Sequence, residues 1–147
     1  MDNSVNFRVE EASIADIHAA LKSGITSARV ITQAFLDRIK AYDRKGPALW
    51  AIIAENPEAL SDADALDQYM KKSGQFVGPL HGIPILVKDN YDVAGLQTTG
   101  GSASLIGWTP KNDATVIKKL RNAGAIILAK TTMSEWARGG FDNINSV

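Results

Sequence analysis

Lys88 closes a short apolar run, Ile83 to Val87, broken only by Pro84, and Asp89 and Asn90 follow it at once in "GPLHGIPILVKDNYDVAG". An amine in that place has two readings. A solvated lysine that ends a strand and pairs with a nearby acid is the common one. A lysine desolvated in a pocket is the other, and it can do chemistry: burial lowers a lysine pKa, so the amine can serve as a neutral base near neutral pH. Gly78, Pro79, Gly82 and Pro84 ahead of it, and a Ser/Thr/Gly-rich loop behind it, favour a shaped site. Asp89 and Asn90 are read first as residues that fix that loop through side-chain to backbone hydrogen bonds.

The loop contains "TTGGSASLIG", Thr98 to Gly107, in which a glycine pair precedes Ser102 and Ser104. Such a turn can present backbone N–H groups and a hydroxyl. The pattern is not the GxSxG elbow, and no histidine is marked as a partner, so contact with substrate or support of the lysine is the preferred reading over a nucleophile. It is not a phosphate-binding loop either, because GxxxxGK[ST] does not occur. His81, just ahead of the strand, is read as a hydrogen-bonded structural residue before a catalyst. "SEWARGG", Ser134 to Gly140, sets a carboxylate, an indole and a guanidinium after a later strand; Trp136 reads as core and Arg138 as solvated, although strand ends in α/β folds are where ligands collect.

The elements that must position these groups follow from periodicity and caps. Ser13 and Asp16 have capping-box spacing, Ile14, Ile17 and Leu21 recur at helical intervals, and Gly24 stops the helix. A second helix starts near Thr26 or Ser27, carries a stripe through Val30, Ile31, Ala34, Phe35, Ile39 and Tyr42, and ends before Gly46 and Pro47. "ALWAIIAEN" predicts a buried strand closed by Pro57. "PEALSDADALDQYMKKSG" predicts a helix with Pro57 in its first turn, acids early, and Lys71 and Lys72 at its end. "IPILVKD" is a strand, and Tyr91 to Lys111 is irregular and too long for a simple turn. "DATVIKKLRNAG" is a helix with Asp113 as N-cap and Gly124 as stop. "AIILAKT" is a strand, and "TMSEWA" opens a short helix. The order helix, helix, strand, helix, strand, loop, helix, strand is an α/β pattern. Three strands make a thin sheet with exposed edges, so the expectation is the front part of a larger domain, marginally stable or self-associating in isolation.

Composition narrows the classes. Of 147 residues, 45% are hydrophobic and 22% charged, and sixteen basic residues balance sixteen acidic ones. Bulk charge therefore selects neither nucleic acid nor a membrane surface. With no cysteine and only His18 and His81, in no metal-ligand spacing, a thiolate site is excluded and a metal is not expected. The polar, acidic N-terminus is not a signal peptide, which points weakly to the cytoplasm.

From about Ser13 to the last residue, and most strongly from Gly78 to Gly140, the chain resembles the front part of amidase-signature hydrolases. The segments that carry the likeness are "GPLHGIPILVKDNYDVAGLQTTGGSASL" and "DATVIKKLRNAGAIILAKTTMSEWA", and the last looks most like bacterial and fungal members. Thr132 stands where asparagine is usual in the family. The resemblance implies a large α/β domain, a mixed sheet covered by helices, of which residues 1–147 are the N-terminal part. It implies hydrolysis of a small-molecule amide by a Ser–Ser–Lys triad without cofactor. Lys88 matches the triad base, and Gly101, Ser102, Met133 and Ser134 match substrate-binding or pocket-support positions. In that scheme a bridging serine, held by a cis peptide, passes a proton from the nucleophilic serine to the lysine, and an acyl-enzyme forms.

Both family serines belong to a downstream segment of the "GGSSGG" type, and the sequence ends before one. The piece alone is therefore expected to be inactive. The alternative is a non-catalytic truncated fragment, or one half of a split amidase that pairs with the missing C-terminal part. A carrier-type amidase domain acting on a transamidation substrate is a third option, from which the "SEWA" ending points away.

Overall fold

In the computed structural model, residues 7–137 and 146–147 are described. The helices are α1 (Ile14–Ser23), α2 (Ala28–Tyr42), α3 (Ala59–Ser73) and α4 (Thr115–Asn122), and the strands are β1 (Ile52–Glu55), β2 (Ile83–Lys88) and β3 (Ala125–Thr131). Single 3₁₀ turns occupy Ala103–Leu105 and Glu135–Ala137. The sheet order is β1-β3-β2, with β3 central, antiparallel to β1 and parallel to β2. Among the described residues no helix is long and apolar enough to cross a membrane.

The capping box of α1 forms as its spacing requires: Asp16 N–H donates to Ser13 Oγ at 3.2 Å, and Ser13 N–H donates to the Asp16 carboxylate at 2.9 Å. Bonds from the Ser13 hydroxyl and N–H hold the Asp16 carboxyl below its usual pKa. Gly24 follows at φ 70. Ser27 caps α2, accepting from Val30 N–H at 3.2 Å. A second acceptor at that helix start comes from elsewhere in the chain. The Asp67 carboxylate, on α3, accepts from Ala28 N–H at 2.8 Å and Arg29 N–H at 3.0 Å. Those donors have no partner inside the helix, and the negative charge meets the positive end of its dipole. Asp67→Ala is therefore expected to cost about 1–2 kcal/mol. Urea unfolding checks this, and a loss below a few tenths of a kcal/mol would show that water replaces the carboxylate.

Three sequence expectations change. Helix α3 begins at Ala59, not at Pro57; the preceding turn is held by Asn56, which donates to Ile127 O at 2.7 Å and accepts from Glu58 N–H at 3.0 Å. Asp113 does not cap α4. The N-cap is Ala114 without a side-chain bond, and the Asp113 carboxylate accepts from Ala94 N–H at 2.7 Å and pairs with Arg121 at 3.2 Å, tying the helix to the long loop. Finally, β1 is a half-buried edge in which only Ile52 is buried. Trp50 lies outside it, exposed, with the Arg44 guanidinium 4.3 Å from its ring centre.

The core lies on both faces of β3. Ile126 and Leu128 pack with Ala28, Ala59 and Ala63, small residues that let α2 and α3 approach the sheet closely. Ile127 packs on the other face with Val87, Val93, Leu96 and Ile117, under α4 and the loop. A further cluster joins Val9, Ile17, Leu21 and Ile31 to Ile83 at the start of β2. Gly124 is required where α4 turns into β3: its φ is 92, and a Cβ would stand 2.7 Å from His81 Cα. An apolar groove of about 560 Å³ stays open beside β2, walled by Phe35, Ile39, Tyr42, Leu86 and Leu128. Leu86 is 49% exposed there, as expected for a thin sheet.

Candidate active site

The two parallel strands end side by side, with Lys88 paired in register with Thr131. Such a carboxyl edge is the customary ligand side of an open α/β sheet. The loop from Tyr91 to Pro110 folds over this edge. Gly100 N–H donates to Asp89 O at 3.1 Å, and Trp136 N–H donates to Gly100 O at 2.8 Å, so the loop is stitched to the residues that follow both strands. Between loop and 3₁₀ turn lies a cleft of about 290 Å³, walled by Asn90, Thr98, Gly100, Trp108, Met133 and Trp136.

The fold sets the Gly101–Ser102 turn against Met133 and Ser134. Gly101 has φ 76, and a Cβ on it would meet Met133 O at 2.7 Å and Ser134 O at 3.1 Å, so only glycine permits the approach. Met133 is buried beside it, while Ser134 is half-buried and its carbonyl accepts from Ala137 N–H at 2.9 Å. Ser102 is buried and donates to the Glu135 carboxylate, with Ser104 Oγ 3.0 Å away. Its hydroxyl meets no base of histidine or lysine type among the described residues.

His81 lies at the other end of β2 from Lys88. Its ring is buried and stacked on Phe76 with centroids 4.6 Å apart, and its Nδ1 accepts from Val77 N–H at 3.2 Å. That bond places the proton on Nε2, which is buried without a partner among the described residues. Burial lowers the His81 pKa from 6.5, opposed by Asp67 and reinforced by His18. The unfolded chain therefore takes up this proton first. Stability from this residue is full above about pH 6.5 and falls as the pH drops below it. Urea midpoints between pH 7.5 and 5 are expected to decline, and less steeply in His81→Gln; identical slopes would remove His81 as the cause.

Lys88 is not desolvated within the described residues, contrary to the expectation of a dry lysine there. Lys88 is exposed, and its amine makes no hydrogen bond or ion pair among the described residues. The buried ammonium belongs to Lys130, whose side chain is wholly buried with that of Asp89, 3.1 Å away. Desolvation lowers the Lys130 pKa, and its bond and charge attraction to Asp89 oppose this. Both lysines end apolar runs, so local sequence does not separate them. The physical difference is that β3 is the central strand and is buried from Ala125 through Lys130, whereas β2 is an edge. Asp89 fixes the loop as expected, with its second carboxylate oxygen accepting from the N–H and hydroxyl of Thr99. Trp136, expected in the core, is 61% exposed on the cleft wall with φ 54. Arg138, Gly139 and Gly140 lie outside the described residues. Among the described residues no cluster of His, Cys, Asp and Glu has the form of a metal site.

A mixed sheet layered between helices, with a cleft at the carboxyl edge of two parallel strands, defines a portion of an α/β domain. Residues 30–143 match the family model described as Amidase, and the chain belongs to that family. It is 41% identical over 127 residues to a glutamyl-tRNA(Gln) amidotransferase subunit of Salinispora arenicola, covering 86% of this chain and 25% of that protein. The native peptide amidase of Stenotrophomonas maltophilia superposes with a TM-score of 0.81 at 45% identity, over 86% of this chain and 26% of that one. An amidase family protein of Bacillus anthracis gives 0.79 at 34%, over 90% and 25%. The chain thus spans about a quarter of the length of the relatives it matches and presents a partial amidase-signature fold.

Proposed function

We propose that this chain is the N-terminal part of an amidase domain that hydrolyses a carboxylic amide C–N bond, with Lys88 as the general base. The observation that carries the reading is the meeting, at one carboxyl edge, of the Lys88 strand end, the Gly101–Ser102 turn and the Met133–Ser134 segment. In the proposed reaction Lys88, acting as the neutral amine, accepts a proton from a bridging serine, which takes it from a nucleophilic serine as that oxygen bonds the amide carbon. The amine leaves protonated, and water then releases the acid from the acyl-enzyme. Backbone N–H groups hold the oxyanion. Neither serine is assigned to a residue of this chain. No cofactor takes part, and the reading includes no nucleic-acid or membrane partner and a cytoplasmic location.

The substrate is a small-molecule amide. Likeness to a peptide amidase supports amide hydrolysis, and likeness to an amidotransferase component keeps a transamidation substrate beside it. A second reading is a non-catalytic piece or one half of a split amidase; the Ser102–Glu135 hydrogen bond is compatible with both readings, since neither uses Ser102 as the nucleophile. The deciding experiment measures ammonia release from C-terminal peptide amides by the complete enzyme and its Lys88→Ala variant. Release dependent on Lys88 supports the proposal, and equal rates defeat it.

A further inference from the structure

Lys130 is the buried titratable group that this scheme leaves unused. Its ammonium lies 3.1 Å from Asp89 Oδ1, 2.7 Å from Thr98 Oγ1 and 3.4 Å from Gln97 O. Two of its donors go to Thr98 and Gln97, and Asp89 stands beside it as the counter-ion. Each belongs to the edge where the site forms. Asp89 directly follows Lys88; its N–H donates to Thr131 O at 3.1 Å and its carbonyl accepts from Gly100 N–H. Its carboxylate holds Thr99, whose hydroxyl accepts from Gly101 N–H at 3.1 Å. One ammonium thus links β3, the residue after Lys88 and the glycine turn.

Stability alone gives no reason for this pair. Two ions withdrawn from water lose their hydration, and an apolar pair of similar volume packs into such a space as well or better. What apolar side chains lack is direction. Between Tyr91 and Pro110 the chain forms only a 3₁₀ turn and an isolated bridge, so hydrogen bonds of fixed geometry must set its course. We infer that Lys130 is a positioning residue for the Lys88 site: through Asp89 and Thr98 its ammonium holds the backbone carrying Lys88 in fixed relation to the Gly100–Gly101 turn. The inference rests on the reading of Lys88 as the base.

The test compares Lys130→Met with Lys130→Met/Asp89→Asn in the complete enzyme, alongside Lys88→Ala. The single variant orphans a buried carboxylate and is expected to lower the thermal midpoint. The double variant restores it, because no buried charge is left unpaired. Both are expected to lower kcat about 10- to 100-fold with KM within about twofold, the signature of a displaced reacting group. A double variant that regains the wild-type rate together with its midpoint makes the pair a packing element and overturns the inference while Lys88→Ala stays inactive. A double variant that does not fold overturns it too. If Lys88→Ala itself keeps turnover, the reading of the base fails and this inference falls with it.

Discussion

Lys88→Ala in the complete enzyme is expected to lower kcat/KM by about 10³-fold or more, with an unchanged thermal midpoint. The two halves of that expectation have separate grounds. A positioned general base contributes about 10²–10⁴-fold, and removing one member of a cooperating catalytic set costs as much as the set can lose. Stability is expected to be spared because within the described residues the side chain is exposed and makes no hydrogen bond or ion pair, so truncation opens no cavity and orphans no partner among them. The variant is therefore a clean probe. Steady-state kinetics and a thermal scan on one preparation check it. Loss of rate together with loss of fold would assign Lys88 to structure, and retention of rate would remove it from the mechanism.

Asp89→Ala is expected to do the reverse in the first instance, by damaging the fold. It removes the counter-ion of Lys130 and the acceptor for both donors of Thr99. Orphaning one member of a buried ion pair costs about 3–5 kcal/mol, a large part of the about 5–15 kcal/mol that keeps an ordinary domain folded. Chemical denaturation of the chain should show the midpoint collapse, and Lys130→Met added to Asp89→Ala should recover part of it. A loss below about 1 kcal/mol for the single change would mean that water reaches the pair.

Local rules accounted for much of what was legible beforehand. The Ser13–Asp16 box and the Gly24 stop need only neighbours a few residues apart, and both form. The strand IPILVK and the strand AIILAKT were readable from their apolar runs. Gly101, Ser102, Met133 and Ser134 were named from family likeness, and the fold sets the Gly101 turn against Met133 and Ser134. What escaped was set by partners distant in sequence. Asp67 caps a helix that starts 39 residues earlier, and Asp113 is drawn from its own helix to Ala94. Lys130 and Lys88 look alike until strand order is known, because a central strand buries both faces and an edge strand does not.

The contrast between ion pairs has a consequence for solution behaviour. Arg29 with Asp64 and Arg38 with Glu10 are each about half open to solvent, whereas Lys130 with Asp89 is sealed. Mobile ions screen charge over about 8 Å at physiological ionic strength and about 3 Å in molar salt, but only where they can approach. Added electrolyte therefore loosens the outer contacts of the helices and leaves the clasp under the loop untouched.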